Sequence, residues 1–262
     1  MLEIYQTAHN LIKNNIWGWQ YSVRTNAAFA DKLTIVVNES QDGTREAIEK
    51  ELSGFNNWQI IDTKIPTSDC WFDGKLKNIG LQACLEEFKL QLDMDETPYG
   101  SRNLWDNILF QFKFSQAKCL AIGSINMFKD WSHHYGIYPK QYLSKGTDCF
   151  RGPQIRARRS DGSINTQISD GCDLILADGT FAPTEHLPND QSLIEEGFVP
   201  AIVHFGYVNL QSRIDRNKEF WAEHWFVESN GTPPAHKIHM TMEDFDQPYL
   251  PITLDLPDVP KL

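Results

Sequence analysis

Apolar positions in the first part of the chain alternate between short runs and helical stripes. Short apolar runs at Leu2–Thr7, Leu33–Val37 and Trp58–Asp62 predict β-strands. Between them, apolar residues recur at helical spacing from 11 to 23 and from 45 to 55, which predicts two helices. The chain therefore begins as a predicted alternation of strand and helix.

This alternation continues to about residue 122. A helical stripe over about 74–88 precedes a strand that contains Leu90 and Leu92, and a second stripe over 104–112 precedes a strand at 118–122. Such an order predicts an α/β fold with a mainly parallel central sheet flanked by helices. Ligands of these sheets bind at the carboxyl ends of the strands, so the residues after each strand are the candidate site.

The turn between the second strand and the second helix has its own signature. Asp42-Gly43 favours a tight turn. Thr44 follows it and is placed to cap the helix through its hydroxyl. We therefore expect Thr44 to cap the second helix, which follows it.

The second half of the chain is less regular. Up to about residue 200 it predicts only short β-like pieces, at Gln154–Arg158 and Asp173–Ala177. An apolar stripe that starts at Leu210 predicts a further helix. Repeated prolines predict an extended tail over 246–262. We expect one domain over the whole chain, with a first half up to residue 122.

Composition narrows the possible partners. The chain has 24 basic and 35 acidic residues, a formal net charge of −11, which argues against a nucleic-acid binder. No apolar run approaches the roughly 18 residues of a membrane span. Five dispersed cysteines without a C-x-x-C pair, and no signal-peptide pattern, favour reduced thiols and a cytoplasmic protein.

Polar segments follow the predicted strands where a site would form. They are Thr7-Ala8-His9-Asn10, Asn38 to Thr44, Lys75 to Gly80, and Asp93-Met94-Asp95-Glu96. Asp93 and Asp95 can both turn toward a ligand once the chain leaves the strand. Paired carboxylates suit Mg²⁺ or Mn²⁺, which keep waters and substrate phosphates as further ligands. A metal site at Asp93 and Asp95 is therefore expected.

The same segments resemble the family 2-like glycosyltransferases of the GT-A fold. That family runs P-x-Y-N after the first strand, V-V-D-x-S-x-D-G-T after the second, then (A/G)-R-N-x-G and D-x-D. Here the matching pieces are Val36–Thr44, Lys77–Gly80 and Asp93-Met94-Asp95, in the same order. The resemblance covers about residues 2–96. It departs from the pattern where Asn38 replaces Asp and Lys77 replaces Arg.

The resemblance implies a GT-A nucleotide-diphospho-sugar transferase. Residues 1–122 would bind the donor, and 123–245 would bind a carbohydrate or glycoconjugate acceptor and carry the last helix. The enzyme would be a hexosyltransferase-like glycosyltransferase that depends on Mn²⁺ or Mg²⁺. His204, after a late strand, looks like the family's histidine that completes the metal shell of Asp93 and Asp95. The residues implied to bind the donor are Thr7, Ala8, His9, Asn38, Glu39, Lys75, Lys77, Asn78 and Met94.

Two alternatives stay open. The Asn38 and Lys77 departures are compatible with a carbohydrate- or nucleotide-binding module of the same fold that lacks turnover. A nucleotidyltransferase is the other alternative, although it would normally carry a Gly-rich basic loop after the first strand, and Thr7–Asn10 is neither. The catalytic base is also open, among Asp148, Asp170, Asp173, Asp178 and Glu185.

Three further signals are weaker. His236 and His239 have no accompanying ligand at zinc spacing, so a strand is favoured over a zinc site. The arginines around Arg151 favour a solvated strand face over contact with a phosphorylated acceptor. Trp131 is the tryptophan best placed to stack on an acceptor sugar, whereas Trp221 and Trp225, at helical spacing, favour the core.

Overall fold

The chain folds around one large sheet with helices on both faces. The computed structural model describes residues 1–67, 69, 72–130, 132–146, 148–158, 164–211, 213–215 and 249–256, and only the backbone of 152–158 and 164–172. The strands are β1 Leu2–Ala8, β2 Lys32–Asn38, β3 Trp58–Thr63, β4 Phe88–Leu92, β5 Glu96–Tyr99, β6 Cys119–Phe128, β7 His133–Lys145, β8 Cys149–Arg158, β9 Ile164–Leu176, β10 Thr184–His186, β11 Ala201–Tyr207 and β12 Leu250–Pro251. The helices are α1 Trp19–Phe29, α2 Thr44–Leu52, α3 Phe72–Ala83, α4 Arg102–Phe114 and α5 Gln191–Glu195.

The central sheet has a parallel part and a mixed part. In space its strands run β3-β2-β1-β4-β7-β6-β11-β5. The pairs within β3-β2-β1-β4 are all parallel, which confirms the predicted arrangement for the first half of the chain. β7 is antiparallel to both β4 and β6, β11 is parallel to β6, and β5 is antiparallel to β11. The β8–β9 hairpin forms a separate small sheet.

Helices cover both faces of the parallel part, so its strands are buried on both sides. Leu33 and Ile35 of β2 face the cluster that contains α1 and α2, whereas Val36 packs with Phe72 and Leu76 of α3. Period-2 alternation thus places apolar residues on each face, which explains the continuous run in β2. No helix in the described ranges is long and apolar enough to cross a membrane.

Two predictions around the first helices are wrong. Residues 11–15 form turns, and α1 begins only after Gly18, whose φ is +81°. Asn10, Asn15 and Gly18 adopt positive φ, which is incompatible with a right-handed helix, so the apolar spacing over 11–18 does not form one. Thr44 does not cap α2 but is its first residue, after Gly43 at φ +81°. Asp42 Oδ1 accepts the Thr44 N–H instead (3.1 Å).

The chain holds more strand than its sequence predicts, mostly in its second half. β6 extends to Phe128, β7 spans 13 residues, and β5 was not predicted at all. The sequence does not predict β7 because polar residues, Gly136 and Pro139 interrupt any apolar alternation along it. Residues 210–211 and 213–215 are helical, while Trp221, Trp225, His236 and His239 lie outside the described residues. The tail contributes β12, which pairs with β7, and residues 257–262 are likewise not described.

Candidate functional site

Loops that follow parallel strands meet at one edge of the central sheet. β1 pairs in parallel register with β2 and β4, so Ala8, Asn38 and Asp93 stand where neighbouring strands end. The loops after β1 and β2 are joined, because the Asn10 N–H donates to Ser40 Oγ (3.0 Å). The carboxyl edge that the sequence predicts as the candidate site is therefore a continuous surface.

The Asn38 side chain is engaged with the loop after β3. Its Nδ2 donates to the Ile65 carbonyl (3.0 Å), and its Oδ1 accepts the Ile65 N–H (2.8 Å) and the Thr63 hydroxyl (3.1 Å). A carboxylate would accept these bonds but could not donate to the carbonyl. The amide at position 38 therefore suits this loop in a way that aspartate would not.

An open cleft of about 430 Å³ lies beside the end of β2. Its lining residues are Val37, Asn38, Glu39, Ser40, Arg45, Glu46, Asp62, Thr63 and Lys64. The exposed Glu39 carboxylate lies 2.8 Å from Lys64 Nζ on the cleft wall. This volume is within the range of small-molecule sites, so the cleft is large enough for part of a nucleotide.

Asp93 lies between two lysines. Its Oδ1 is 3.3 Å from Lys77 Nζ and accepts from Gln91 Nε2 (3.0 Å), and its Oδ2 is 3.6 Å from Lys140 Nζ. Burial alone would raise the pKa of Asp93. The charges of Lys77 and Lys140 and the Gln91 bond outweigh burial, and the pKa falls well below its usual range. Lys140, on β7, was not predicted.

A buried carboxylate supports the Asp93 loop. Glu96 Oε2 accepts the Asp93 N–H (2.8 Å), and Oε1 accepts the Tyr142 hydroxyl (2.7 Å) and lies 3.3 Å from Lys140 Nζ. The Tyr142 oxygen is also 2.9 Å from Ser124 Oγ. Burial raises the pKa of Tyr142 well above its usual value, so the phenol keeps its proton and donates to Glu96.

Buried amides hold the backbone of the same loop from β1 and α1. Gln6 Nε2 donates to the Asp93 carbonyl (3.0 Å). Asn26 Nδ2 donates to the Glu96 carbonyl (3.0 Å), which also accepts the Ser22 hydroxyl. These donors tie the carbonyls of Asp93 and Glu96 to β1 and α1, which restricts the backbone of the loop. The loop from Asp93 to Glu96 is therefore held on both sides.

Asp95 and His204 face each other at the far end of this loop. Asp95 Oδ2 is 3.6 Å from His204 Nε2, and only 5% of Asp95 is exposed. His204 Nδ1 lies 2.6 Å from Asn126 Oδ1. A neutral imidazole that donates from Nδ1 presents the Nε2 lone pair toward Asp95. The Phe205 N–H donates to the Asp95 carbonyl (2.8 Å), which fixes β11 against the loop.

Asp95 and His204 could supply two ligands to a divalent cation. In the described ranges, no group of three or more His, Cys, Asp or Glu side chains could hold a metal ion. Mn²⁺ and Mg²⁺ need few protein ligands when waters and substrate phosphates complete the shell. A carboxylate oxygen and an imidazole lone pair that face each other, as in Asp95 and His204, suit such an ion. The Asp93 oxygens lie against Lys77 and Lys140.

Other predicted donor-binding residues hold the fold around the site. Lys75 pairs with Asp69. Asn78 exchanges two hydrogen bonds with the backbone of Arg151 (2.9 and 2.7 Å), and Met94 is buried in the core. Their direct contact with a donor stays a prediction.

The predicted residues at the end of β1 lie at the site edge. Thr7 is half-buried and Ala8 is buried, so their backbone rather than their side chains borders the site. The His9 ring packs edge-on against Phe72 with centroids 5.4 Å apart. His9 Nε2 is 3.0 Å from Asn10 Nδ2.

The candidate bases give no single choice. Three of them have local partners, namely Asp148 with Lys118, Asp178 with Thr180, and Glu185 with Ser115. Asp173 lies in β9, and the side chain of Asp170 is outside the described set. The catalytic base therefore stays open.

Arg151 lies away from solvent, so the solvated strand face expected around it is wrong at this residue. Arg151 is buried, and its guanidinium donates to the Tyr5 hydroxyl (2.8 Å) and to the carbonyls of Gln141 (2.8 Å) and Tyr142 (3.2 Å). It therefore ties β8 to β1 and β7 rather than forming a basic surface for an acceptor. Trp131 lies outside the described residues.

Comparisons with known proteins match structures but not sequences. No protein-family model and no curated protein matches the chain. S. aureus TarS aligns with a TM-score of 0.48 and 13% identity, over 90% of this chain and 41% of the TarS chain. The mannosyltransferase PcManGT from Pyrobaculum calidifontis, solved with GDP-Man and Mn²⁺, has a TM-score of 0.46 and 10% identity, over 91% and 68%.

A third solved structure is a synthase. The 4-diphosphocytidyl-2C-methyl-D-erythritol synthase from Anaerococcus prevotii has a TM-score of 0.38 and 12% identity, over 56% of this chain and 70% of its own. The chain spans less than half the length of the TarS chain that it matches. GT-A nucleotide-sugar transferases are among these structures, and the chain is a mixed α/β protein with a curled central sheet. These likenesses are distant.

Proposed function

We propose that the chain is a glycosyltransferase that moves a sugar from a nucleotide-diphosphate donor to a hydroxyl of a carbohydrate or glycoconjugate acceptor. The observation that carries the proposal is the facing pair Asp95 and His204 at the carboxyl edge of the parallel strands. The cleft at Glu39 opens on the same edge. A nucleoside and a diphosphate would therefore have separate places along one surface.

The nucleoside would enter the cleft beside β2. Carboxylates such as Glu39 and Asp62 on its wall accept hydrogen bonds, which suits the hydroxyls of a ribose. Because Asn38 is bonded to Ile65, its contribution is to hold this wall in place. The backbone of Thr7 and Ala8 would border the base.

The diphosphate would lie toward Asp95 and His204, which would hold Mn²⁺ or Mg²⁺. When bound, the ion would neutralise charge that develops on the departing diphosphate. Lys77 and Lys140 keep positive charge behind the site because Asp93 and Glu96 hold them there. Asp93 would act mainly through these lysines, and its own bond to the metal stays a prediction.

The reaction exchanges one bond at the anomeric carbon of the sugar. The bond from that carbon to the diphosphate oxygen breaks, and a bond to the acceptor hydroxyl oxygen forms. The nucleoside diphosphate leaves with the bonding electrons, and the acceptor hydroxyl loses its proton to a base. The buried loop network around Glu96 would hold Asp95 in one position during this exchange.

Thermal stabilisation by nucleotides tests the donor site. We expect one of UDP, GDP, CDP or TDP with Mn²⁺ to raise the melting temperature, because a ligand at about 100 times its Kd adds about 2.7 kcal/mol to the native state. Asp95→Asn and His204→Gln should abolish the Mn²⁺-dependent part. The control Asp106→Asn changes an exposed carboxylate beside Arg102 and should keep it.

Turnover separates the proposed function from its alternatives. Release of a nucleoside diphosphate from a sugar nucleotide supports the transferase. Stabilisation without release, across donors that bind, would favour a binding module. Release of pyrophosphate from a nucleoside triphosphate and a sugar phosphate would favour a nucleotidyltransferase. No stabilisation by any nucleotide, with or without Mn²⁺, would contradict all three.

A further inference from the structure

The guanidinium of Arg213 has donor capacity that its neighbours do not use. It lies over the Tyr207 ring, 4.1 Å from the ring centre. Its terminal nitrogens make two long hydrogen bonds of 3.4 Å, to the Gly206 carbonyl and the Tyr207 hydroxyl. Its Nε is buried and has no hydrogen-bond partner among the described residues. Leaving a buried donor without a partner is unfavourable, and the terminal nitrogens beside it, held only by long hydrogen bonds, are suited to a ligand.

The glycine at position 206 allows Arg213 and His204 to converge. A Cβ built on Gly206 would lie 2.4 Å from an Arg213 terminal nitrogen and 2.4 Å from His204 Nε2. Both distances are under 3.0 Å, so any larger residue would force both side chains to shift. Both nitrogens therefore lie over the same stretch of bare backbone.

Arg213 also shares a small cleft with Asp95. The lining residues are Ile16, Trp17, Asp95, Phe205, Gly206, Asn209 and Arg213. A guanidinium presents a planar fork that matches phosphate oxygens two at a time. Because the Asp95 carboxylate stands beside it, an anion that enters alone would be repelled. The charges in this cleft therefore suit an anion that arrives together with a divalent cation.

We propose that Arg213 binds the diphosphate of the donor, with Gly206 kept small so that the guanidinium and His204 meet the same ligand. This inference rests on the proposed function and adds a residue to its donor site. Arg213 supplies the fork to phosphate oxygens, while Lys77 and Lys140 stay paired with Asp93. The Tyr207 ring holds the guanidinium plane in place through a cation–π contact.

Calorimetry with inorganic pyrophosphate and Mg²⁺ tests this directly, because the probe needs neither a nucleoside nor an acceptor. We expect the wild type to bind, Arg213→Gln to bind about 10- to 100-fold more weakly, and Arg213→Lys to fall between them because it keeps the charge and loses the fork. Gly206→Ala should also weaken binding. Arg24→Gln, an exposed arginine paired with Glu51, is the matched control and should bind as the wild type does.

Equal affinity of Arg213→Gln and wild type would overturn the proposal, as would a wild type that does not bind pyrophosphate with Mg²⁺. Melting curves of each variant show whether it is folded, and Arg213→Lys serves if Arg213→Gln is not. Sugar-nucleotide turnover keeps the two proposals apart. Turnover with an unaffected Arg213→Gln would leave the transferase standing without this residue. Weakened pyrophosphate binding without turnover of any donor would support Arg213 and count against the transferase.

Discussion

Replacing Asp93 by asparagine removes one charge from between two lysines and keeps the shape of the side chain. Lys77 is only 5% exposed and would lose the carboxylate 3.3 Å from its ammonium. Lys140 would lose a partner at 3.6 Å but keep Glu96 at 3.3 Å. In the variant, the nearly buried ammonium of Lys77 therefore has less negative charge near it.

The cost lies between two measured limits. Exposed ion pairs contribute about 0–1 kcal/mol, and breaking a buried pair costs about 3–5 kcal/mol. The Asp93 side chain is 36% exposed, so solvent screening reduces the second figure. We expect Asp93→Asn to lower the free energy of unfolding by about 2 kcal/mol, which for a chain of this size lowers the melting temperature by about 4–8 °C.

Urea unfolding in buffer with a metal chelator measures this cost across pH. Because the pKa of Asp93 is lowered in the folded state, its contribution is present above the ordinary carboxyl pKa of about 3.9 and is lost as pH falls further. The difference between wild type and variant should stay constant from pH 5 to 8 and shrink below about pH 4. Asp148→Asn, the exposed control beside Lys118, should change stability by less than about 0.5 kcal/mol. A variant as stable as wild type at pH 7, or a difference that grows in acid, would refute the reasoning.

Three further substitutions test the frame of the site. Asn38→Asp should destabilise the chain by about 1–3 kcal/mol in thermal melts, because the Ile65 carbonyl loses its donor, and a melting temperature at or above wild type would contradict this. Tyr142→Phe should cost about 1–3 kcal/mol in urea unfolding, because the buried Glu96 loses its phenol partner, and a neutral result would count against the network. Gly80→Ala should cost about 1–3 kcal/mol, because its Cβ would meet the Tyr5 ring at 2.7 Å, and hydrogen exchange of α3 unchanged from wild type would show that the ring simply moves.

The parallel part of the fold was predictable because its signal is local. Four of the five residues in Leu33–Val37 are apolar, since β2 is covered on both faces, and the one polar residue, Thr34, is buried with its hydroxyl donating to Glu3. The Asp-Gly turn was also predictable, and Gly43 does adopt positive φ. The helix expected from residue 11 failed because its apolar spacing continues through turns that Asn10 and Asn15 form at positive φ.

The site was less predictable because its support comes from distant strands. Lys140 and Tyr142 lie two positions apart on β7, and both contact the Glu96 carboxylate. The sequence of β7 alone does not show which carboxylate these side chains meet. Glu96 directly follows the Asp93-Met94-Asp95 segment, and this position in the sequence was the one indication that it belongs to the site. Asn126 reaches His204 only through the pairing of β6 with β11.

Because β11 pairs with strands far from it in sequence, we expect the site to form late in folding. β11 lies between β6 and β5, and its register joins His204 to Glu96, 108 positions earlier in the chain. Closing so long a loop costs entropy before its contacts are gained, and such pairings form slowly. The strand that completes the site is thus one of the most distant in sequence from the loop it meets. During refolding, ligand binding should return after most of the helical signal, so the site reports that the whole sheet has closed.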